Sequence, residues 1–250
     1  MRYRYHIFVL FVFIAIGAFC QQDAGGANKE FYIRDSIVTH YSHKKNEKDL
    51  MRKDSNFYKD SEYAVSKTCS GEWGGTIKFE NIHTGKIYVC EAQCAVVVNK
   101  INGKYIVTNT LAHLSGFSNV IEIDNPSSLK AFHYREKKDT QRVVFAGFDE
   151  SISTIGSKTL LDTIGVLTLA SFPYNGNLYH IITDFKKTFL ATIQNEKYVT
   201  TDTISNASIW TYDPEVIRTT DNHYVVFFTN EEANGYLDII GNKITVIRYK

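Results

Sequence analysis

Proline and methionine are scarce in this sequence, at three and two in 250 residues, and neither sign of charge is in excess. Its 28 lysines and arginines face 27 acidic residues, a net charge of +1. That balance excludes the basic footprint of a nucleic-acid-binding protein. There is no Gly-x-x-x-x-Gly-Lys or Gly-x-Gly-x-x-Gly phosphate cradle, no Gly-x-Ser-x-Gly elbow and no His-Glu-x-x-His pair. An Asp-x-Asp-x-Asp-Gly calcium loop is also absent. No motif therefore assigns a catalytic residue, a cofactor or a metal. What the chain does have is 16 tyrosines and 16 phenylalanines, residues that fit a pleated, half-buried surface. Its length suits one sizeable domain or two small ones.

The N-terminus reads as an address. Arg2 and Arg4 precede an apolar run from Ile7 to Phe19, and polar Gln21-Gln22-Asp23 follows. A basic start, a short apolar stretch and a small-residue exit form the layout of a secretory signal over residues 1–20. The run is shorter than the roughly 20 apolar residues of a spanning helix, and no later run is longer. Cleavage after Cys20 yields a soluble exported protein. Cleavage before Cys20 leaves that cysteine to carry lipid, although bulky Phe19 does not suit a lipoprotein signal. Loss of residues 1–20 removes two of the 28 basic residues and no acid, so the mature charge is −1.

Cys69, Cys90 and Cys94 remain, and in an oxidising compartment they predict a disulfide. Cys69 is expected to pair with Cys90 or Cys94, leaving the odd thiol buried. A Cys-x-x-x-Cys spacing with no histidine beside it is a poor zinc signature.

Residues 29–68 hold nine Lys/Arg and seven Asp/Glu, which marks 21–68 as a charged N-terminal arm or linker. Phe31-Tyr32-Ile33 and Tyr63-Ala64-Val65 are its candidates for short strands. From Cys69 to Lys250 the texture changes to short apolar-aromatic runs separated by turn residues, the pattern of an all-β domain. Asn102-Gly103, between Val96-Val97-Val98 and Tyr105-Ile106-Val107, is the strongest hairpin signal, since a tight hairpin needs positive φ at both central residues. Asn175-Gly176 and Asn195-Glu196 are further turns. Val143–Gly147 and Ser208–Tyr212 are among the candidate strands.

Three segments recur in order. Gly75-Thr76-Ile77 matches Gly165-Val166-Leu167, and Gly85-Lys86-Ile87-Tyr88 matches Gly176-Asn177-Leu178-Tyr179. Lys104–Leu111 matches Lys197–Ile204. Pro126, Pro173 and Pro214 are each expected in a connection after a strand. Half of the repeat is about 45 residues, the size of one propeller blade. The expectation is thus a propeller-like repeat of short antiparallel strands with four blades, or five if residues 29–68 add strands. The alternative is a β-sandwich or barrel made of two related halves.

Phe19-Cys20-Gln21-Gln22, Glu72-Trp73-Gly74-Gly75-Thr76-Ile77 and Ala112-His113-Leu114-Ser115-Gly116-Phe117-Ser118 together resemble uncharacterised secreted β-repeat proteins of Bacteroidetes-type bacteria. The resemblance covers residues 69–130 best. It implies export and repeats, and no activity.

Candidate ligand-binding residues are Trp73, His113, Ser115 and Trp210. His113 and Ser115 sit in a loop between two strands, where function concentrates. They are two residues apart with no elbow to bring them together, so a hydrolytic pair is not expected. Trp73 and Trp210, with Tyr88, Tyr174, Tyr179 and Tyr212, would suit stacking on a sugar or peptide if exposed. His83, His133, His180 and His223 are widely scattered as well. Asp149-Glu150 and Glu231-Glu232 are neighbours that diverge on an extended chain, unlike the facing carboxylates of a glycosidase. These features favour an exported, non-catalytic binding module for a glycan or protein ligand, in the periplasm, at the cell surface or secreted. The alternatives are an exported hydrolase with His113 and a carboxylate meeting in a pocket, and a structural, envelope-associated protein.

Overall fold

The computed structural model describes residues 30–38, 57–133, 150–220, 222–230 and 234–250, and its folded unit runs from Phe31 to Lys250. The signal, Cys20 and the candidate strand Val143–Gly147 lie outside the described residues. The protein is all-β. Among the described residues the only helical pieces are two 3-10 turns, Gly71–Trp73 and Pro126–Ser128.

The first strand, β1 (Tyr32–Val38), joins the end of the chain, as described below. Next come β2 (Tyr58–Lys59), β3 (Tyr63–Lys67), β4 (Thr76–Asn81) and β5 (Ile87–Glu91). The second sheet contains β6 (Ala95–Ile101), β7 (Lys104–Leu111), β8 (Phe117–Ile123) and β10 (Lys158–Ile164). Short β9 (Lys130–Ala131) leaves it to pair with β5 in the first sheet. The third sheet is β11 (Leu167–Tyr174), β12 (Asn177–Thr183), β13 (Thr188–Gln194) and β14 (Lys197–Ser205). The fourth is β15 (Glu215–Thr220), β16 (His223–Thr229), β17 (Asn234–Ile240) and β18 (Lys243–Tyr249). Here β1 pairs in parallel with β18, from Tyr32↔Lys243 to Val38↔Tyr249. Among the described residues every other pairing is antiparallel. The charged arm thus supplies β1, β2 and β3, so folded structure starts well before Cys69. Among the described residues no sheet closes into a barrel.

The side-chain period of two explains why the sheets pack in series. In β7, Tyr105 and Val107 face the first sheet, in a core with Tyr63, Phe79 and Ile121. Ile106, between them, faces the third sheet with Val120, Leu161, Leu178 and Ile193. In β12, Tyr179 and Ile181 turn the other way, into a core with Val226, Leu237 and Val246 of the fourth sheet. Strands covered on both faces read as nearly continuous apolar runs, as Val96-Val97-Val98 does. Edge strand β1 exposes nearly all its side chains.

Where β6, β7 and β8 cross β11, small hydroxyls replace apolar packing. Asn99 Nδ2 donates to Ser171 Oγ at 2.9 Å, and Thr108 Oγ1 lies 2.8 Å from the same oxygen. Ser118 Oγ is 2.9 Å from Thr168 Oγ1, which in turn is 2.6 Å from the Tyr198 hydroxyl. Small side chains allow this close approach, and mutual pairing relieves the cost of burying them.

The disulfide joins Cys69 to Cys94, and Cys90 is the buried odd thiol. Burial, helped by the Glu91 carboxylate, pushes the Cys90 thiol up to about 12, so it is inert as a nucleophile at neutral pH. Glu150 clamps the same region: Ser70 Oγ and Thr76 Oγ1 donate to its carboxylate at 2.6 Å each, and Thr68 Oγ1 donates as well. Burial alone would raise that carboxyl, but the three hydroxyls and nearby Lys78 outweigh it and hold it low.

Two sequence expectations are corrected. Ser208–Tyr212 is not a strand but part of the connection from β14 to β15, because Ser208 and Ile209 are buried on hydrogen bonds to Thr183 and Thr188 rather than to a ladder. Pro173 lies inside β11, not after it. β11 is an edge strand of its sheet, where a missing N–H is tolerated.

Candidate functional site

The connections β3–β4, β7–β8, β12–β13 and β14–β15 touch one another in a continuous line. His113 Nδ1 of β7–β8 lies 3.4 Å from Glu72 Oε2, beside Trp73, which is 65% exposed. The same loop then reaches Gly116, whose missing side chain leaves room for the Phe185 ring of β12–β13. A Cβ built on Gly116 would stand 2.7 Å from Phe185 Cζ. Phe185 meets Trp210 edge-to-face at 6.0 Å between ring centroids, and Trp210 meets Tyr212 at 5.0 Å. Tyr212 is 73% exposed and Leu114 91%.

This surface is strained. Leu114 adopts φ +51° and Phe185 φ +66°, a left-handed backbone that bulky L residues avoid at a cost of about 1–2 kcal/mol each. Local bonds hold both. Gly116 N donates to the His113 carbonyl at 2.9 Å, and Phe185 N to Thr183 Oγ1 at 3.2 Å. The Asp184 carboxylate accepts from the backbone N–H groups of Lys186 and Lys187. Strain kept in an exposed apolar residue marks a functional surface better than exposure alone. Leu114→Gly is therefore expected to raise stability by about 1 kcal/mol in urea unfolding, since almost no buried area is lost and the strain is relieved. A loss as large as that of a buried leucine would overturn this account.

The line runs on into a cavity of about 300 Å³. Asp213, next to Tyr212, lies 3.9 Å from Lys67 Nζ. That ammonium donates to the Ala95 carbonyl at 2.5 Å and sits over the Phe57 ring. Burial pushes Lys67 down, with Asp213 pulling the other way. The walls come from β2, β6 and β15 through Tyr58, Val97 and Ile217, so three sheets meet here. Just beyond, Asp60 accepts from Lys100 Nζ at 2.8 Å and Tyr105 Oη at 2.7 Å. Burial would raise the Asp60 carboxyl, but these donors and the N–H groups of Tyr63 and Glu62 hold it at about 2.

The structure brings Trp73, His113 and Trp210 to one surface. Ser115 is exposed in the same turn, but no hydrogen bond links it to His113. The His113–Glu72 pair is half exposed and does not line this cavity. Of the tyrosines expected beside the tryptophans, only Tyr212 is there. Tyr179 is in the core against Phe31 and Phe172, Tyr174 packs on that core, and Tyr88 packs on the other. His83 and His223 have separate partners, Ser61 and Asp238. Leu114, Phe185, Asp213 and Lys67 were not singled out from sequence, and only the Leu114-Ser115-Gly116 turn carried a signal. The chain matches no family model, no curated protein and no solved structure.

Proposed function

We propose that the protein is an exported, non-catalytic binding module, a propeller-like ring of four sheets that presents its loops to a glycan or peptide. The observation that carries this is the row of adjoining loops that bear Trp73, Leu114, Phe185, Trp210 and Tyr212, linked by the His113–Glu72 pair, the close approach of Phe185 to Gly116 and the Phe185–Trp210–Tyr212 ring contacts, with two apolar residues in left-handed conformation. Ring geometry is supported by the order of the cores: sheet one packs on two, two on three and three on four, while the cavity brings four back to one. A radial ring leaves only short sheet edges. Export is supported by the signal-like N-terminus, the Cys69–Cys94 disulfide and the resemblance to secreted β-repeat proteins.

A glycan and peptide array probed with the purified protein tests this. The expected result is intact, saturable capture that Trp73→Ala and Tyr212→Ala each weaken by about tenfold or more, as for aromatic anchors. Both side chains are largely exposed, so neither variant is expected to unfold. Cleaved ligand, with cleavage lost in His113→Ala, would instead favour a hydrolase using the His113–Glu72 pair. Neither capture nor cleavage would leave the structural role as the better reading.

A further inference from the structure

The cavity of about 300 Å³ beside Asp213 is walled by the edges of sheets. β2, β6 and β15 are each the last strand of their sheet, and all three line it. Two of them contribute consecutive residues, Val96-Val97-Val98 from β6 and Glu215 to Arg218 from β15. Neighbours on a strand point to opposite faces, so the cavity meets these strands along their edges rather than on one face. A strand edge presents backbone N–H and C=O groups on the side away from its sheet. Such groups pair with another stretch of backbone, which favours a peptide over a sugar.

Lys67 decides which part of a peptide fits. Its ammonium offers three N–H groups. Among the described residues it meets one acceptor at hydrogen-bond distance, the Ala95 carbonyl of β6 at 2.5 Å. Its one ion-pair partner there, Asp213, stands 3.9 Å away with a side chain 81% exposed. A cation only 25% exposed and so loosely paired is under-compensated, and burial pushes its pKa down. A carboxylate entering the cavity would complete the ion pair as Asp213 turns out to solvent. Phe57, Tyr58 and Val97 line the same space with apolar and aromatic surface. We infer that the cavity takes the carboxy-terminal residue of a peptide, its α-carboxylate accepting from Lys67 Nζ and its apolar side chain resting among Phe57, Tyr58 and Val97. The residues before it run past Asp213 onto Tyr212 and Trp210. The inference thus rests on the binding role proposed for the aromatic row, and narrows its ligand to a peptide. A volume at the lower end of ligand sites suits the end of a chain and not a folded partner.

The test uses the purified full chain and labelled short peptides ending in phenylalanine, leucine or valine, each made as the free acid and as the amide. Fluorescence polarisation is expected to show the free acid bound about tenfold or more tighter, the scale of one hydrogen bond to a charged group. Lys67→Met, which keeps the apolar stem, should bring the acid down to the level of the amide. Asp213→Asn removes the competing carboxylate and should tighten the acid by about twofold or more relative to the amide. Because Asp213 is largely exposed, this variant keeps the test valid if Lys67→Met fails to fold. Trp73→Ala should weaken acid and amide alike, which separates the row from the cavity. Equal binding of acid and amide by the unaltered protein would overturn the inference and leave the aromatic row standing. A preference that Lys67→Met retains, or an acid that Asp213→Asn binds more weakly, would overturn it too. Capture of neither form would overturn it together with the peptide reading of the row.

Discussion

Gly235→Ala is expected to destabilise the protein by about 3 kcal/mol or more, in the range of severe overpacking. Gly235 pairs with Arg248 where β17 meets β18, and a Cβ built on it would stand 1.8 Å from the Ile247 carbonyl oxygen. The obstacle is backbone, not a flexible side-chain tip, so the strands must part. Glycine in a strand interior marks such a close approach of another backbone. Parting here would be felt twice, because β18 also carries β1, the clasp between the start and the end of the folded unit. Chemical unfolding would show an earlier midpoint, and hydrogen exchange would show loss of protection first in β1 and β18. Protection unchanged in both strands would overturn this account.

Removing the Cys69–Cys94 disulfide, by reductant or by Cys69→Ser with Cys94→Ser, should cost about 3 kcal/mol. It closes 25 residues, and the expected loss is the entropy that the unfolded chain regains over that span. The bonded segment includes all of β4 and β5, with Gly71–Trp73 beside the candidate surface. The Glu150 clamp on Ser70 and Thr76 survives reduction, so the loop should loosen rather than detach. Coincident melting curves with and without reductant would refute the prediction. Cys90→Ala probes a different effect: it removes a buried thiol from the core without releasing any cross-link.

The three pairs of matching segments show how far local information reaches. Gly75–Ile77 begins β4 and Gly165–Leu167 begins β11; Lys104–Leu111 is β7 and Lys197–Ile204 is within β14. Strands β4 to β7 therefore correspond one for one with β11 to β14. Yet β11 to β14 form one sheet, whereas β5 and β6 belong to different sheets. What the matching segments share is therefore strands and their turns, not a whole sheet. Hairpins are closed by turns that the sequence spells out: Asn102-Gly103 and Asn175-Gly176 all have positive φ, as a tight hairpin turn demands. Which hairpin edges then pair is a non-local choice, and no short window records it.

The site divides in the same way. His113 stood out as an unusual residue in a loop and Trp73 and Trp210 as the only tryptophans of the chain, while Phe185 and Asp213 look ordinary in sequence. They matter because folding sets them between Gly116 and Trp210, or against Lys67. The edge strand β10 was missed for a related reason: its Lys-Thr-Leu-Leu-Asp-Thr-Ile run mixes exposed and buried positions across a bulge at Leu160, so its alternation is broken. By itself the sequence determined the all-β class, the hairpin turns, and a Cys69 bridge with a buried odd thiol, because these depend on neighbours a few residues apart or on the few cysteines available. Only the tertiary structure decided that Cys94 is the partner, where one sheet ends and the next begins, and which loops meet. Those outcomes rest on alternate side chains of one strand facing different sheets, and on contacts between residues far apart in the chain.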